Sequence, residues 1–226
     1  QNGFGYRFPN GLPFGHLRLA LNYYASILGA RAILWHQGES DNLDSRNRED
    51  YRSNLISLIE TSRTISNKPH LAWVIARASR YNVNNSSRVW EPTIQAQNDV
   101  INSDAYAFAG PMTDDIVATD LRRDGVHFEG EGLNWLGQEW SNSISTEFLN
   151  NSIPYPAAAP HLINISGNAT NGVFELSTTG AFPLYKWTTL GDFNTTLASG
   201  STFQSNEGNY LLQTKDVNNN VIFSPE

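Results

Sequence analysis

The sequence predicts an α/β domain with a mostly parallel sheet flanked by helices, followed by a small all-β domain. Over the first 152 residues, helical patterns alternate with short, continuous apolar runs, as in parallel strands that helices cover on both faces. The composition then changes, because residues 1–152 hold 13 of the 15 Lys and Arg residues and 17 of the 22 Asp and Glu residues. Beyond them, short β-type runs alternate with turns rich in Gly and Asn, which is typical of antiparallel β structure.

Hydrophobic periodicity predicts the elements of the first domain. Apolar residues recur at helical spacing in residues 14–29, 48–64, 91–102 and 129–149, and Pro92 suits the first turn of the third helix. The intervening apolar runs at 30–35, 70–77 and 104–110 predict three buried strands. The last helix has the most regular apolar stripe, formed by Leu133, Leu136, Trp140, Ile144 and Phe148.

A stretch rich in Pro and Ala separates the two domains. This stretch, "SIPYPAAAPH" (152–161), is typical of a linker. We therefore predict a first domain at 1–152, a linker at 153–160 and a small β-sandwich at 161–226. Within the sandwich, "NNN" before "VIF" predicts a closing hairpin.

The composition argues against several classes of protein. The formal net charge of −7 and the lack of a basic cluster argue against nucleic-acid binding. No apolar run approaches the roughly 20 residues that a membrane helix needs. The chain contains no Cys, which excludes a thiolate nucleophile and a Cys-based zinc site. The lack of Cys, taken with the many Asn, Ser, Thr and Gly residues, leads us to expect a secreted, periplasmic or cell-surface bacterial protein.

Four polar loops are expected to meet at one edge of the sheet. The segments "QGESD", "ASRYN" and "GPMTDD" each directly follow a predicted strand, and residues 119–132 run into the last helix. In an open parallel sheet, ligands bind beyond the carboxyl ends of the strands. The functional site is therefore predicted where these loops converge.

The last loop contains "RRDGVHF" (122–128), in which Asp124 and His127 are three residues apart. This spacing allows the Asp124 carboxylate to hold Nδ1 of the imidazole, which fixes the tautomer and leaves Nε2 free as a general base. In the alternative interpretation, Asp124 and Gly125 form an ordinary turn and His127 is a partly buried histidine without a catalytic role.

The first loop contributes Glu39 and Gln37. Glu39 could supply a second carboxylate near the histidine, and Gln37 could donate its amide N–H to a developing oxyanion. Each also has a structural alternative: a solvated loop acid for Glu39, and a side chain that holds the loop backbone for Gln37. Trp35 and His36 are expected to be structural or rim residues.

Other charged residues of these loops are weaker candidates. Arg122 and Arg123 could hold a substrate carboxylate, but pairing with Asp120 at the surface is expected instead. Asp114, Asp115 and Asp120 lack the spacing of a calcium-binding loop. We therefore expect no metal site.

Taken together, "WHQGESD" and "DGVHF" resemble two sequence blocks of the SGNH-hydrolase superfamily. They are most similar to the branch of carbohydrate esterases that contains sialate O-acetylesterases and acetylxylan esterases. In that branch "HQGES" follows a central strand and "DG-x-H-F" precedes the last helix. Four further segments are also similar: "Y-x3-L", "ARAS", "AQN" and "AGPMTDD". The resemblance covers roughly residues 1–150 and implies an SGNH-type, flavodoxin-like sheet.

This resemblance implies a carbohydrate O-acetylesterase with a Ser-His-Asp triad and no cofactor. His127 would be the triad base, Asp124 its orienting acid and Gln37 an oxyanion-hole donor. Glu39 would be the carboxylate of the first block, which is sometimes assigned the third triad position. The sequence leaves the choice between Asp124 and Glu39 open.

The chain departs from the family pattern in its nucleophile. The family carries its serine in a "G-D-S"-like or "G-Q-S-N"-like turn after the first strand, whereas Ser40, Ser79 and Ser141 lie in no such turn. We therefore expect the serine upstream of this chain and the sheet to be incomplete at its N-terminus, with an exposed edge. The expected partner is the N-terminal remainder of the same protein, and the chain alone would be inactive.

Two other functions stay open. The β-rich tail loosely resembles the Ig-like modules of secreted bacterial proteins, which would suit a non-catalytic carbohydrate-binding or accessory protein. An esterase or lipase of the same superfamily with a non-sugar substrate is the second alternative. Trp35, Tyr81 and Trp90 are candidates for stacking on sugar rings, with burial in the core as their alternative role.

Overall fold

Two structural units make up the described part of the chain, which covers residues 12–83, 86–116, 121–122, 124–168 and 172–225 of a computed structural model. One unit holds Arg31–Arg63 and the described residues from Pro69 to Pro154. The other holds the described residues up to Ala30, Thr64–Lys68 and the described residues from Tyr155 onward.

Helices and strands alternate in the first part of the chain, and strands follow one another in the last part. The helices are α1 (Leu12–Leu19), α2 (Ala25–Leu28), α3 (Glu39–Leu43), α4 (Arg48–Ser66), α5 (Glu91–Ser103), α6 (Glu131–Ser143) and α7 (Thr146–Asn151), with a π-helical segment at Ala20–Tyr24. The strands are β1 (Ala32–Trp35), β2 (Ala72–Arg77), β3 (Tyr81–Val83), β4 (Ser86–Arg88), β5 (Ala107–Met112), β6 (Ile163–Asn168), β7 (Val173–Thr178), β8 (Leu184–Thr189), β9 (Thr202–Ser205), β10 (Tyr210–Lys215) and β11 (Val221–Phe223). Within the described residues, no helix combines the length and the apolar character that crossing a bilayer requires.

The first unit is built on a parallel sheet of β1, β2 and β5, with β2 in the middle. In the register of this sheet, Ala32 lies beside Ala72 and Trp73 lies beside Ala107. Residues 72–76 of β2 are fully buried, as expected for a central parallel strand with helices on both faces. The predicted mixed α/β architecture with a parallel sheet is thus confirmed.

The two faces of β2 have different packing partners. Ala72 and Val74 form a buried cluster with Phe148 of α7. Because side chains alternate along a strand, Trp73 points to the opposite face. There its ring lies 5.7 Å from the ring of Trp35. Both faces of the sheet are therefore closed by large apolar side chains.

The predicted single helix at 129–149 is wrong, because the chain breaks it between α6 and α7. Ser145 lies at the break, and its Oγ accepts a hydrogen bond from the backbone N–H of Phe148 (3.2 Å), so it caps the start of α7. Leu133 of the predicted apolar stripe is 55% exposed, whereas Phe148 is buried. Helix α3 and the β3–β4 hairpin lie in segments that the sequence predicts only as loops.

The second unit contains two three-stranded antiparallel sheets, β6–β7–β9 and β8–β10–β11. Leu176 from the first sheet and Trp187 and Leu212 from the second form one buried cluster, so the sheets share a core. The predicted closing hairpin is confirmed, since β10 pairs with β11 and Gln213 lies opposite Phe223. The Ig-like arrangement of these strands stays a prediction.

The helical residues before β1 belong to the same unit as the antiparallel sheets. The backbone N–H of Ala158 donates to the carbonyl of Ser26 (2.7 Å), and Ala30 forms an antiparallel bridge with Tyr155. Helix α2 also packs against β11. The predicted division at 1–152, 153–160 and 161–226 stays a prediction.

Candidate active site

Three loops of the first unit leave the same edge of the parallel sheet. They begin after Trp35, Arg77 and Met112, which end β1, β2 and β5. Since the strands are parallel, their carboxyl ends meet at one edge, where ligands bind in open α/β sheets. The predicted convergence of the loops that follow the three strands is confirmed.

Gly38 allows the first two loops to approach each other closely. A Cβ atom built on Gly38 would clash with the backbone carbonyl oxygen of Ala78. Glycine is therefore required here for contact between two backbones rather than for loop flexibility. This contact explains why the third position of "HQGES" is a glycine.

Gln97 of α5 ties the same two loops together. Its Nε2 donates to the carbonyl oxygens of Gln37 (2.9 Å) and Ala78 (3.0 Å), and its Oε1 accepts from the N–H of Ala78 (3.0 Å). Gln97 is fully buried. Its amide thus satisfies both backbone groups of buried Ala78 and shares the Gln37 carbonyl with the Tyr51 hydroxyl.

Asn42 and Asp114 fix the second loop from two other directions. Asn42 Nδ2 donates to the carbonyls of Ser79 and Arg88, both at 2.7 Å. The Asp114 carboxylate accepts from the N–H groups of Ser79 and Arg80, both at 2.9 Å, and from the Ser79 hydroxyl at 2.6 Å. We refer to Asn42, Gln97 and Asp114, all buried, as the buried braces.

Asp124 and His127 form a hydrogen-bonded pair, as the sequence predicts. Asp124 Oδ2 lies 2.5 Å from Nδ1 of His127. Asp124 Oδ1 accepts from the backbone N–H groups of Val126 (2.9 Å) and His127 (2.7 Å), so the same carboxylate shapes the turn and orients the ring. Gly125 makes this turn possible with a φ of +76°, a value that favours glycine.

The ionisation of Asp124 follows from these contacts. Burial disfavours the carboxylate, but hydrogen bonds from the His127 ring and from the N–H groups of His127 and Val126 outweigh it. They hold the pKa of Asp124 well below its usual range. An ionised Asp124 fixes the Nδ1–H tautomer of His127 and leaves Nε2 as the basic nitrogen.

His127 presents this basic nitrogen to solvent. The His127 side chain is 82% exposed, and the Asp124 side chain is 54% exposed. Among the described residues, the His127 ring has a hydrogen bond only at Nδ1. The geometry therefore leaves Nε2 accessible to a hydroxyl group and an ester.

Phe128 joins the two sequence blocks physically. Its ring centroid lies 6.3 Å from that of His36 in the first block and 5.9 Å from that of Trp135 in α6. The His36 ring also lies 6.3 Å from the ring of Trp140. An aromatic cluster thus connects the loop that carries His127 to the loop that carries Glu39.

Glu39 lies beside His36, with 3.5 Å between Glu39 Oε1 and His36 Nε2. Burial lowers the pKa of His36 and outweighs the opposing effect of Glu39. His36 Nε2 is buried and has no well-aligned hydrogen bond to a described residue. Of the two carboxylates that the sequence leaves open, Asp124 is therefore the one in hydrogen-bond contact with His127, and Glu39 lies beside His36.

The Gln37 side chain points toward α4. Its Nε2 donates to Asp41 Oδ2 (2.6 Å), and its Oε1 lies 3.1 Å from the Tyr51 hydroxyl. Burial raises the pKa of Tyr51 to about 12, so its hydroxyl stays protonated and can donate. The Gln37 side chain is thus held by two other side chains, and both its structural role on the loop backbone and its oxyanion role stay predictions.

Arg122 is buried, with 2% of its surface exposed, so the surface position expected for this residue is wrong. Its Nη2 donates to the carbonyl of Thr113 (2.7 Å), and its Nη1 donates to the carbonyl of Val126. Burial lowers the pKa of Arg122. Arg123 and Asp120 lie outside the described residues.

No described serine hydroxyl forms a hydrogen bond with His127. Ser79 is fully buried, and its Oγ donates to Asp114 and accepts from the N–H of Trp90 (2.8 Å). Ser40 lies in the first turn of α3, and Ser141 lies in α6. Within the described part of the chain, the Asp124–His127 pair thus has no serine hydroxyl at His127 Nε2.

The aromatic candidates for sugar stacking have internal contacts. Trp35 packs on Trp73, and the Arg88 guanidinium lies 4.7 Å above the Trp90 ring, whose Nε1 donates to the carbonyl of Arg46. These contacts match the structural role for both tryptophans. Tyr81 lies opposite Arg88 in the β3–β4 hairpin.

The buried braces and Arg122 are the residues of this site whose roles sequence reasoning missed. Gln97 lies in "AQN" and Asp114 in "AGPMTDD", and both segments carry the family resemblance. The resemblance could have indicated a role for Gln97 and Asp114. Neither periodicity nor local spacing predicts that these two residues are buried.

A family model described as "carbohydrate esterase, sialic acid-specific acetylesterase" matches residues 17–146, which is more than half of the chain. No curated protein and no solved structure matches the chain. The matched range contains both sequence blocks, all three strands of the parallel sheet and the buried braces.

Proposed function

The chain belongs to the carbohydrate esterase family of sialic acid-specific acetylesterases, and on this basis we propose that it is part of an enzyme that removes acetyl groups from an acetylated sugar. The observation that carries this proposal is the contact of 2.5 Å between Asp124 Oδ2 and His127 Nδ1 at the carboxyl edge of the sheet. Serine hydrolases of unrelated folds use the same geometry to activate a hydroxyl group.

In the proposed reaction, a serine hydroxyl attacks the acetyl carbonyl while His127 Nε2 accepts its proton. Ionised Asp124 stabilises the resulting imidazolium through Nδ1–H. The tetrahedral intermediate then collapses, the bond between the carbonyl carbon and the sugar oxygen breaks, and His127 protonates the leaving sugar oxygen. Water attacks the acetyl-serine with His127 again as the base, which releases acetate and restores the serine.

We place the nucleophilic serine on a segment outside this sequence, in the same protein, that completes the sheet beside β1. Two observations support this placement. Among the described strands, β1 pairs with β2 on one side only, and Leu34 in β1 is 51% exposed. His127 is also largely open to solvent, as expected of a base whose hydroxyl partner is supplied by another segment.

For Glu39 and Gln37 we propose supporting roles in the same reaction. Glu39 would act through His36, which lies 3.5 Å away and packs near Phe128 in the loop that carries His127. Among the described residues, the Gln37 amide group donates only to Asp41, so its second amide hydrogen could serve the oxyanion together with backbone N–H groups. Asp124, rather than Glu39, would hold the third triad position.

The matched family favours an O-acetylated sialic acid as substrate. Acetylated xylan is our second choice, because the sequence blocks also resemble acetylxylan esterases. We also propose export from a bacterial cell, which the many Asn, Ser, Thr and Gly residues favour. Hydrolysis rates on O-acetylated sialic acid, acetylated xylan and nitrophenyl esters of increasing chain length would separate these substrates from lipid esters.

The test uses the complete gene product, with His127→Ala compared to His16→Ala as the matched control, because His16 is an exposed histidine of the other unit. We expect His127→Ala to reduce hydrolysis of p-nitrophenyl acetate by about a thousandfold or more, and His16→Ala to change it by less than about twofold. Activity of His127→Ala within about tenfold of the parent protein would contradict the assignment.

A further inference from the structure

Arg122 is a buried cation in the loop that carries the Asp124–His127 pair. It is 2% exposed and lies two residues before Asp124. Burying a charged group is costly unless several partners satisfy it. The contacts of Arg122 should therefore reveal what the buried guanidinium stabilises.

Those contacts lie on both sides of His127. Nη1 donates to the carbonyl of Val126, the residue before His127, and the guanidinium carbon lies 3.7 Å from the ring centroid of Phe128, the residue after it. Nη2 donates to the carbonyl of Thr113, next to the end of β5 (2.7 Å). One planar group thus fixes the chain around His127 to the edge of the sheet.

Arg122 and Asp124 hold the turn from opposite sides of its backbone. Asp124 accepts from the N–H groups of Val126 and His127, while Arg122 donates to the carbonyl of Val126. Nε of Arg122 is buried without a hydrogen-bond partner among the described residues. The guanidinium is therefore held by the hydrogen bonds of its two terminal nitrogens and by its contact with the Phe128 ring. A lysine could not form two divergent hydrogen bonds and a stacked contact with one ammonium group.

We propose that Arg122 is a positioning residue for His127: it holds residues 126–128 against the carboxyl edge of β5, so that the imidazole stays aligned with Asp124. Its action passes through the backbone of Val126 and the ring of Phe128 and involves no contact with substrate. The proposal about ring alignment concerns this chain alone, and only its kinetic consequence rests on the proposed esterase function.

The first test measures the tautomer of the His127 ring by long-range proton–nitrogen NMR on this chain, with the ring neutral. The variants are Arg122→Lys and, as a matched control, Arg63→Lys, because Arg63 is also largely buried and binds both a carbonyl and a carboxylate away from the loop. We expect the parent protein and Arg63→Lys to keep Nδ1–H. In Arg122→Lys we expect a mixture with Nε2–H.

The second test measures kinetics in the complete gene product. A small displacement of a catalytic group costs about tenfold to a hundredfold in rate. We expect this loss in kcat for Arg122→Lys, with KM changed by less than about twofold. In Arg122→Ala, added guanidinium at low millimolar concentration should restore part of kcat, whereas ammonium at the same concentration should not.

Phe128→Leu keeps the proposal testable if the Arg122 variants do not fold, because it removes the stacked ring and leaves the guanidinium in place. We expect the same change of tautomer, to a smaller extent. An unchanged tautomer in folded Arg122→Lys or in Phe128→Leu would overturn the proposal. A changed tautomer together with no hydrolysis by the complete parent protein would instead overturn the proposed function and leave the positioning role intact.

Discussion

His127 and Gln97 both lie at the carboxyl edge of the parallel sheet, but His127 is exposed to solvent and Gln97 is buried. His127 is 82% exposed, and its ring has one hydrogen-bond partner among the described residues. Gln97 is fully buried, and its amide forms four hydrogen bonds to Gln37, Ala78 and Tyr51. The difference indicates that the groups proposed to react lie at the surface, while buried polar residues fix the loops that carry them. Substitutions should therefore separate activity from stability.

The largest effect is expected for Asp124→Asn on activity. A neutral amide cannot stabilise the imidazolium or enforce the Nδ1–H tautomer, so kcat in the complete protein should fall by about 10³- to 10⁴-fold. Because Asp124 is more than half exposed, the free energy of unfolding of this chain should change by less than about 1 kcal/mol. Hydrolysis of p-nitrophenyl acetate and urea unfolding are the two measurements.

Asp44→Asn is the matched control, since the Asp44 side chain is 56% exposed and lies 4.0 Å from Arg46. It should leave both activity and stability close to those of the parent protein. Equal losses of activity in the two variants would mean that the Asp124–His127 contact has no special role.

Gly38→Ala should mainly lower the stability of the chain, whereas Asp124→Asn should mainly lower its activity. The added methyl group would clash with the Ala78 carbonyl, and backbone cannot move aside cheaply. We expect a loss of about 3 kcal/mol in the free energy of unfolding, at the upper end for overpacking. Gly137→Ala in α6 is the control, because its Cβ would meet open space and should stabilise the helix by up to about 1 kcal/mol.

Gln97→Leu should destabilise the chain by about 2 kcal/mol, because it leaves the buried N–H and carbonyl of Ala78 without the Gln97 amide and removes one of the two donors to the Gln37 carbonyl. Gln95→Leu on the same helix is exposed and should cost less than about 0.5 kcal/mol in urea unfolding. Equal costs for the two variants would show that the amide of Gln97 is dispensable as a brace.

The smallest expected effect is the contribution of His36 to the pH dependence of the free energy of unfolding. Burial lowers the pKa of His36 in the folded state, so below about pH 6.5 the unfolded chain binds more protons at this position than the folded chain does. His36 therefore favours unfolding as the pH falls below 6.5. In His36→Gln, the free energy of unfolding should decline less between pH 7 and pH 5 than in the parent protein. An identical decline in both would contradict a buried, neutral His36.

The parallel sheet and the Asp124–His127 pair could be predicted because their signals are local. A buried strand is a continuous apolar run, and a carboxylate three residues from a histidine can reach its ring within one turn. The apolar stripe does not predict the break at Ser145, because the stripe continues through it, although Ser145 caps the next helix.

The buried braces could not be predicted from local patterns, because their partners are distant in sequence. Gln97 binds a carbonyl 60 positions away, and Asp114 binds backbone 35 positions away. A glutamine in a polar stretch of helix carries no local sign of burial. For the same reason, the sequence predicts Arg122 at the surface, although carbonyls of Thr113 and Val126 accept its hydrogen bonds inside the unit.

The central claim is that exposed Asp124 and His127 act as one catalytic unit, and a double-mutant cycle in the complete gene product tests it most directly. The measured quantity is kcat/KM on p-nitrophenyl acetate for Asp124→Asn, His127→Ala and the double variant. If the two residues act as a unit, the double variant should be no more than about threefold slower than His127→Ala alone. Losses that multiply in the double variant would show two independent contributions and would contradict the account.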